Sequence, residues 1–305
     1  MTSFLLRRLL RAVIVLWGVT LISFGVLFLK GDPSDAMAGA DWSRQDRENF
    51  RQAMGFDRPW PVQYLDFLSK AVRGDFGNSL SQHQPTFQLV MSRMPATLEL
   101  AGAALLVAIG FGLPLGVLSA TQRNGWGDHL AMGLALLAQA MPVFWLGILL
   151  ILIFGIAIPI LPVAGRGGIE NLILPAVALG AHSLARNARL IRSSLLEVLG
   201  QDYVRTARAK GLNERAVVVR HALRNALIPV VTLIALDLGF LLGGSVITET
   251  IFAWPGVGRL IVAAIHARDV PLVQTAVTVL AVIFVLLNVA VDLIYTRLDP
   301  RIRVA

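Results

Sequence analysis

The sequence predicts an all-α polytopic membrane protein with six transmembrane helices and both termini on the cytoplasmic side. Three observations predict it. The 305-residue chain is 56% hydrophobic, above the 45–50% usual for soluble domains, and its mean hydropathy is +0.69. Apolar runs long enough to cross a bilayer recur along it. The basic residues gather between the runs in the alternating way that cytoplasmic loops favour.

The first helix is expected over residues 9–29, behind Arg7, Arg8 and Arg11. At 1.5 Å per residue it reaches about 30 Å, the hydrocarbon thickness. Its apolar run exceeds a signal-peptide core and no A-x-A-like site follows, so the helix is expected to be retained. Residues 30–97 change character. They are polar, mixed in charge and rich in Pro, Gly and aromatics, and form a small external insert after an N-terminal segment 1–29. A core of five further spans is expected over 98–305, at 98–120, 130–161, 172–190, 227–247 and 270–295.

The 172–190 run is the weakest, diluted by His182, Arg186 and Arg189. Charge decides in its favour. Nine Lys/Arg against three acids lie between Arg186 and Arg224, and only by counting this span do they fall inside. The tail TRLDPRIRVA then ends inside as well. The long insert is largely exempt from the charge rule. Pro114, Pro142, Pro175 and Pro229 punctuate the spans, and small-residue runs such as AGAALLVAIGFGLPLG suit close helix packing.

Several chemistries are excluded by composition. There is no cysteine, hence no disulfide and no thiolate metal site. Lys30, Lys70 and Lys210 are the only lysines and none precedes Ser or Thr, so no Walker A phosphate loop exists and ATP chemistry must come from a partner. Neither G-x-S-x-G nor H-E-x-x-H occurs, and no two histidines stand at ligand spacing; catalytic and metal sites are expected to be absent. GWGD at Gly125–Asp128 resembles the G-x-G-D of intramembrane aspartyl proteases, a distant alternative that needs a second facing carboxylate.

Polar groups at membrane depth are the candidate path residues: Gln139, Asp237 and Asn288, with Glu99 and Asp292 nearer helix ends. A membrane carboxylate is costly and so faces a partner or a watery cavity.

The stretch QDYVRTARAKGLNERAVVVRHALRN (201–225) carries six of the 27 Lys/Arg. Its first part lacks Gly and Pro and ends at Gly211, a natural residue to follow a helix. Asn213 is placed to cap a second helix, with Glu214 in its first turn. Two short helices joined at a glycine are expected. Tyr203, Ala207 and Lys210 fall on one face, with Val204 and Arg208 beside them; one bulky anchor among small neighbours suits a protein groove. From the residues alone, a docking element, a plain inside loop and a nucleic-acid site stay open, the last disfavoured because Tyr203 is the stretch's only stacking aromatic.

DYVRTARAKGLNERAVVVRHALRNALIP closely resembles the EAA loop of the integral-membrane permease subunits of ABC importers, in the form of the dipeptide/oligopeptide/nickel branch. Arg205, Thr206 and Ala207 occupy the triplet and Gly211 the glycine, so the Glu and first Ala are replaced. GDFGNSL (74–80), MPATLELA (94–101), ETIFAWPGVGRLIVAAIHARDVPLVQ (249–274) and LDPRIR (298–303) are also similar to that branch.

The resemblance implies a type I ABC importer transmembrane domain in a bacterial inner (plasma) membrane, a multi-pass permease rather than an enzyme. It implies a path shared with a second, homologous permease, two cytosolic ATPase subunits holding ATP-Mg, an extracytoplasmic substrate-binding protein, and no nucleic acid. Its ATPase-coupling residues would be Tyr203, Val204, Arg205, Thr206, Ala207, Arg208, Ala209, Lys210, Gly211 and Leu212, within a cytoplasmic loop of about 192–226. Trp254, Pro255 and Arg259, in an external loop of about 250–270, would face the binding protein, and Trp42, Trp60 and Trp254 would anchor at the interface. Di- or oligopeptides are the expected cargo, with nickel chelates or glutathione as alternatives within the branch.

Overall fold

A backbone in hydrocarbon has no water to pair with, so apolar runs must bond internally and become helices. The computed structural model, which describes residues 2–26 and 43–298, is helical along every described apolar run and forms no strand among the described residues. The first span's end, Trp42 and all of LDPRIR after Leu298 lie outside the described residues, as does the side chain of Asp292. The chain divides into two compact units, Met1–Pro95 with Gly256–Ala305, and Ala96–Pro255.

The first unit holds α1 (Thr2–Val26), α2 (Arg44–Met54), α3 (Trp60–Val72), the opening turns of α4 (Thr86–Thr121), α11 (Val257–His266) and α12 (Val270–Leu298). Ser43 and Asp46 form a reciprocal capping box at the start of α2, and Gly55 closes it in the left-handed region, which glycine enters without steric cost. Helix α3 lies on α1: Tyr64 is buried, its hydroxyl 3.0 Å from Thr20 Oγ1 and its ring 5.4 Å from that of Phe24. The core joins Val90 and Met94 of α4 to Val257, Leu260 and Ala264 of α11 and to Leu272, Ala276 and Val279 of α12. Because Val90 and Met94 continue the helical spacing, α4 begins at Thr86, earlier than the expected span start at 98.

The second unit is organised around α7 (Ile169–Leu199), against which α5 (Trp126–Ala140), α6 (Val143–Ile151) and α10 (Ile228–Ile251) pack. Along α4, Ala104, Gly112 and Gly116 let α7 approach to backbone contact. A Cβ added at Gly116 would lie 2.7 Å from the Ala188 carbonyl oxygen, and one added to Gly180 of α7 would lie 2.5 Å from that of Ala104.

The apolar run at 130–161 departs from the single span expected. It breaks at Met141 and Pro142, and the two helices meet at 105°. Proline has no N–H to give the preceding turn, and Pro142 caps α6 in an extended conformation. A π-helical turn, Leu152–Ala157, follows α6. Three described helices are long and apolar enough to cross a membrane, α4, α10 and α12, or four with the bent pair counted as one. Helix α7 has the length, 31 residues, but carries the charges that diluted the fourth run.

Candidate functional site

The C-terminal end of α7 turns at Gly200 into α8 (Asp202–Ala209), and the chain then enters α9, which starts as Glu214–Ala216, passes through a π-helical segment Val217–Ala222 and ends as Leu223–Ala226. Gly211 sits between α8 and α9 at φ +79°, in the left-handed region where a Cβ costs about 1–2 kcal/mol. The Asn213 Oδ1 accepts the Ala216 N–H at 2.8 Å. Both features follow the sequence expectation.

An eight-residue helix is unstable alone, and tertiary packing holds this one. Val204 and Ala207 are buried, in one cluster with Ala120, Leu195, Val217, Val218, Ala222 and Ala226. The face expected from the sequence is therefore split. Ala207 and Val204 turn into the chain, while Tyr203, Arg205, Thr206, Arg208, Ala209, Lys210, Gly211 and Leu212 form the exposed rim. Arg208 straps the glycine turn with a two-pronged ion pair to Glu214, Nε at 3.0 Å and Nη2 at 2.6 Å. These hydrogen bonds raise the arginine's pKa and lower the glutamate's. The Asn225 amide donates to the Tyr203 hydroxyl at 2.8 Å, tying the start of α8 to the end of α9.

Above this loop sits a second polar assembly that sequence reading missed. Asp128, in the GWGD segment, is buried and takes Arg192 Nε and Nη2 of α7, each at 2.7 Å. It also accepts from the Ser119 hydroxyl and, at 2.9 Å, from the Asn124 N–H. Such a carboxylate is a structural clamp between α4, α5 and α7, its lone pairs already engaged by four donors.

Deeper in the second unit Asp237 is fully buried and forms an ion pair with Arg186. The Asn187 amide donates to its other oxygen at 3.0 Å. The Arg186 guanidinium lies over the Phe240 ring, 5.8 Å from its centroid, and His182 stacks on the same ring at 5.9 Å. The other candidate path residues are quieter. Gln139 is half-buried with its Oε1 unpartnered, and Asn288 donates to the Phe284 carbonyl of its own helix at 2.8 Å. Glu99 pairs with Arg166, Nη2 at 2.6 Å. The sequence signals only that the Asp237 carboxylate, in apolar surroundings, must find a partner; it does not say which of His182, Arg186 and Arg189 that is.

In the 250–270 segment Trp254 is fully buried, its Nε1 donating to the Ala96 carbonyl at 2.8 Å. Its side chain is thus a packing element rather than an outward contact. Pro255 is half-buried, Arg259 is exposed, and Trp60 is 54% exposed. In the first unit Asp269 is buried; it accepts from the Ser79 hydroxyl and, at 3.0 and 2.7 Å, from the Ser81 N–H and hydroxyl.

Residues 112–304 match the family described as binding-protein-dependent transport system inner membrane component, and residues 1–101 match its N-terminal family. The chain is 41% identical over 304 residues to the glutathione transport system permease protein GsiC of Escherichia coli, covering 99% of each chain. It is 40% identical over 336 residues to the dipeptide transport system permease protein DppB of Escherichia coli, again covering 99% of each. DppB of Alkalihalophilus pseudofirmus is 39% identical, with 99% of this chain and 100% of the relative covered. Among solved structures, an inward-facing MetNI methionine ABC transporter chain superposes with a TM-score of 0.60 at 20% identity, over 70% of this chain and 97% of that one. That likeness concerns the fold, which is that of a type I ABC importer transmembrane domain. With family matches over residues 1–101 and 112–304, the chain belongs to the family of binding-protein-dependent transport system inner membrane components.

Proposed function

We propose that this chain is the permease subunit of an ATP-driven importer for di- or oligopeptides, and that it forms the path with a second, homologous permease. Six spans with both termini inside, the external insert at 30–97 and the core at 98–305 belong to the same proposal. The α8 rim docks in a groove of a cytosolic ATPase, which supplies ATP-Mg; two such ATPases and an external binding protein complete the system. The single observation that carries the reading is full-length identity near 40% to dipeptide and glutathione permeases. The geometry of α8 supports the coupling role: a short helix, glued to its own chain by Val204 and Ala207, offers Tyr203, with Leu212 in the turn just beyond its end, each 42% exposed, within a cationic rim. Ligand-driven closure of the ATPases would bias a two-state equilibrium of the membrane helices through this contact. Arg259 is proposed to face the binding protein, and Gln139, Asp237 and Asn288 to line the path.

Reconstituted with its partner subunits, the chain is expected to take up labelled dialanine in an ATP-dependent manner. Leu212→Asp should abolish uptake while leaving the isolated ATPase subunits active; normal uptake by that variant removes the coupling assignment. Glutathione is the second reading, favoured by the 41% identity to GsiC. Uptake of glutathione in preference to dialanine selects it.

A further inference from the structure

Arg186 is the better anchored of two arginines on one face of α7. Its partner Asp237 has no exposed side-chain surface, while the Arg186 side chain as a whole keeps 34% of its own. Asp237 therefore fixes one edge of the guanidinium, and Phe240 supports its plane from 5.8 Å. Three residues further along the same face is Arg189, half-buried and without a carboxylate partner among the described residues. Asp237 lies nine residues into α10, about 14 Å along its axis, so this cluster sits within the membrane-crossing part of the helices. Two guanidiniums there meet one carboxylate.

The uncompensated charge is accompanied by unmet hydrogen-bonding capacity. The donors Ser183 Oγ, Arg186 Nε and Arg189 Nε are all buried without a partner, three in one stretch of seven residues. Buried polar groups are normally satisfied, and an unpaired cation at this depth is costly. Both deficits are met by one acceptor-only monoanion whose planar oxygens match the guanidinium fork. A carboxylate has that chemistry, and it restores the local charge to zero; a phosphate dianion would overshoot.

We propose that Arg186 and Arg189 form a carboxylate-binding station in the membrane path, which receives the C-terminal carboxylate of the transported peptide. Asp237 and Phe240 are positioning residues that hold Arg186 in place. This inference rests on the peptide-importer reading and sharpens it: it makes the free carboxylate, rather than the side chains, the group recognised by the permease itself.

The test uses the complete importer in nanodiscs without its binding protein, titrated calorimetrically with dialanine, N-acetyl-dialanine and dialanine amide. Dialanine and its acetylated form keep the carboxylate and are expected to bind with similar affinity. The amide should bind at least about tenfold more weakly, a difference of about 1.4 kcal/mol. Arg189→Gln should remove the discrimination and Arg189→Lys restore most of it. Asp237→Asn paired with Arg186→Gln tests the anchored arginine without leaving a buried charge alone. Equal binding of acid and amide, or no binding of either to the unaltered importer, overturns the station. Arg189→Gln complexes that dissociate on gel filtration overturn it in favour of an ion pair with an acid of the second permease. Uptake of dialanine into liposomes supplied with the binding protein is measured in parallel; if that fails, the importer reading falls, whereas normal uptake with no carboxylate discrimination removes only the station.

Discussion

Gly116→Ala isolates the closeness of α4 and α7. The added Cβ would lie 2.7 Å from the Ala188 carbonyl oxygen, 2.7 Å from Ile191 Cβ and 2.8 Å from its Cγ2, where ordinary contact begins at 3.4 Å. The obstruction is backbone and a β-branched side chain, neither of which swings aside, so the helices must part locally by about 0.7 Å. Overpacking of this kind costs about 1–3 kcal/mol. The control is in the same helix. Gly110→Ala meets nothing within 4 Å and should be neutral or slightly stabilising, because alanine is the better helix former. Both variants are compared by SDS-driven unfolding in mixed micelles and by dipeptide uptake. A lower midpoint and slower uptake are expected for Gly116→Ala alone. Equal midpoints for the two alanine variants would refute that expectation.

Val204→Ala removes two buried methyl groups and should loosen α8 by about 2 kcal/mol; trypsin should then cut faster after Arg205, Arg208 and Lys210, and an unchanged rate would mean that other contacts hold the helix. In a double-mutant cycle of Asp128→Asn and Arg192→Gln, each single change should cost about 2 kcal/mol, below the fully buried range because Arg192 is 28% exposed, with most of that cost shared; additive effects would show that the clamp is not a unit. Burial by itself pushes the Asp269 carboxyl up, but the hydrogen bonds from Ser79 and Ser81 outweigh it and hold the group below its ordinary range. The folded form is thus favoured above the unfolded carboxylate value of about 3.9, and that stabilisation disappears as pH falls through the lower folded value. Asp269→Asn should therefore melt lower than the parent at neutral pH and converge with it in acid; a constant gap between the two curves would exclude the linkage.

What the sequence made legible was local. Apolar runs became helices because lipid leaves the backbone no other partner, and the Gly211–Asn213 junction was readable because positive φ and N-capping are properties of single residues. Pairings across long separations were not readable. Arg192 and Asp128 are 64 positions apart, and Arg186 and Asp237 are 51 apart; nothing adjacent to any of them specifies the other. Orientation was also hidden: the composition of α8 suggested a small-residue docking face, but only the packed cluster shows that Val204 and Ala207 turn inward and leave Tyr203 and Leu212 outside. Trp254 illustrates the same limit. Near a turn it reads as an interfacial anchor, yet Ala96 supplies an acceptor for its indole and the ring is buried. Pro142 was visible, but whether a proline kinks a membrane helix or divides it depends on its neighbours, and here it divides it.

The alanine–glycine seam between α4 and α7 has a mechanical consequence. Most side chains at a helix contact can change rotamer and so take up a small displacement. Alanine and glycine have no rotamers to change, and at Gly116 and Gly180 the contact is made against backbone oxygen. Such a seam forms with almost no loss of side-chain entropy, and it has no soft layer in which to dissipate movement. A shift of the C-terminal end of α7, to which α8 is fastened, must pass to α4 as movement of the backbone itself.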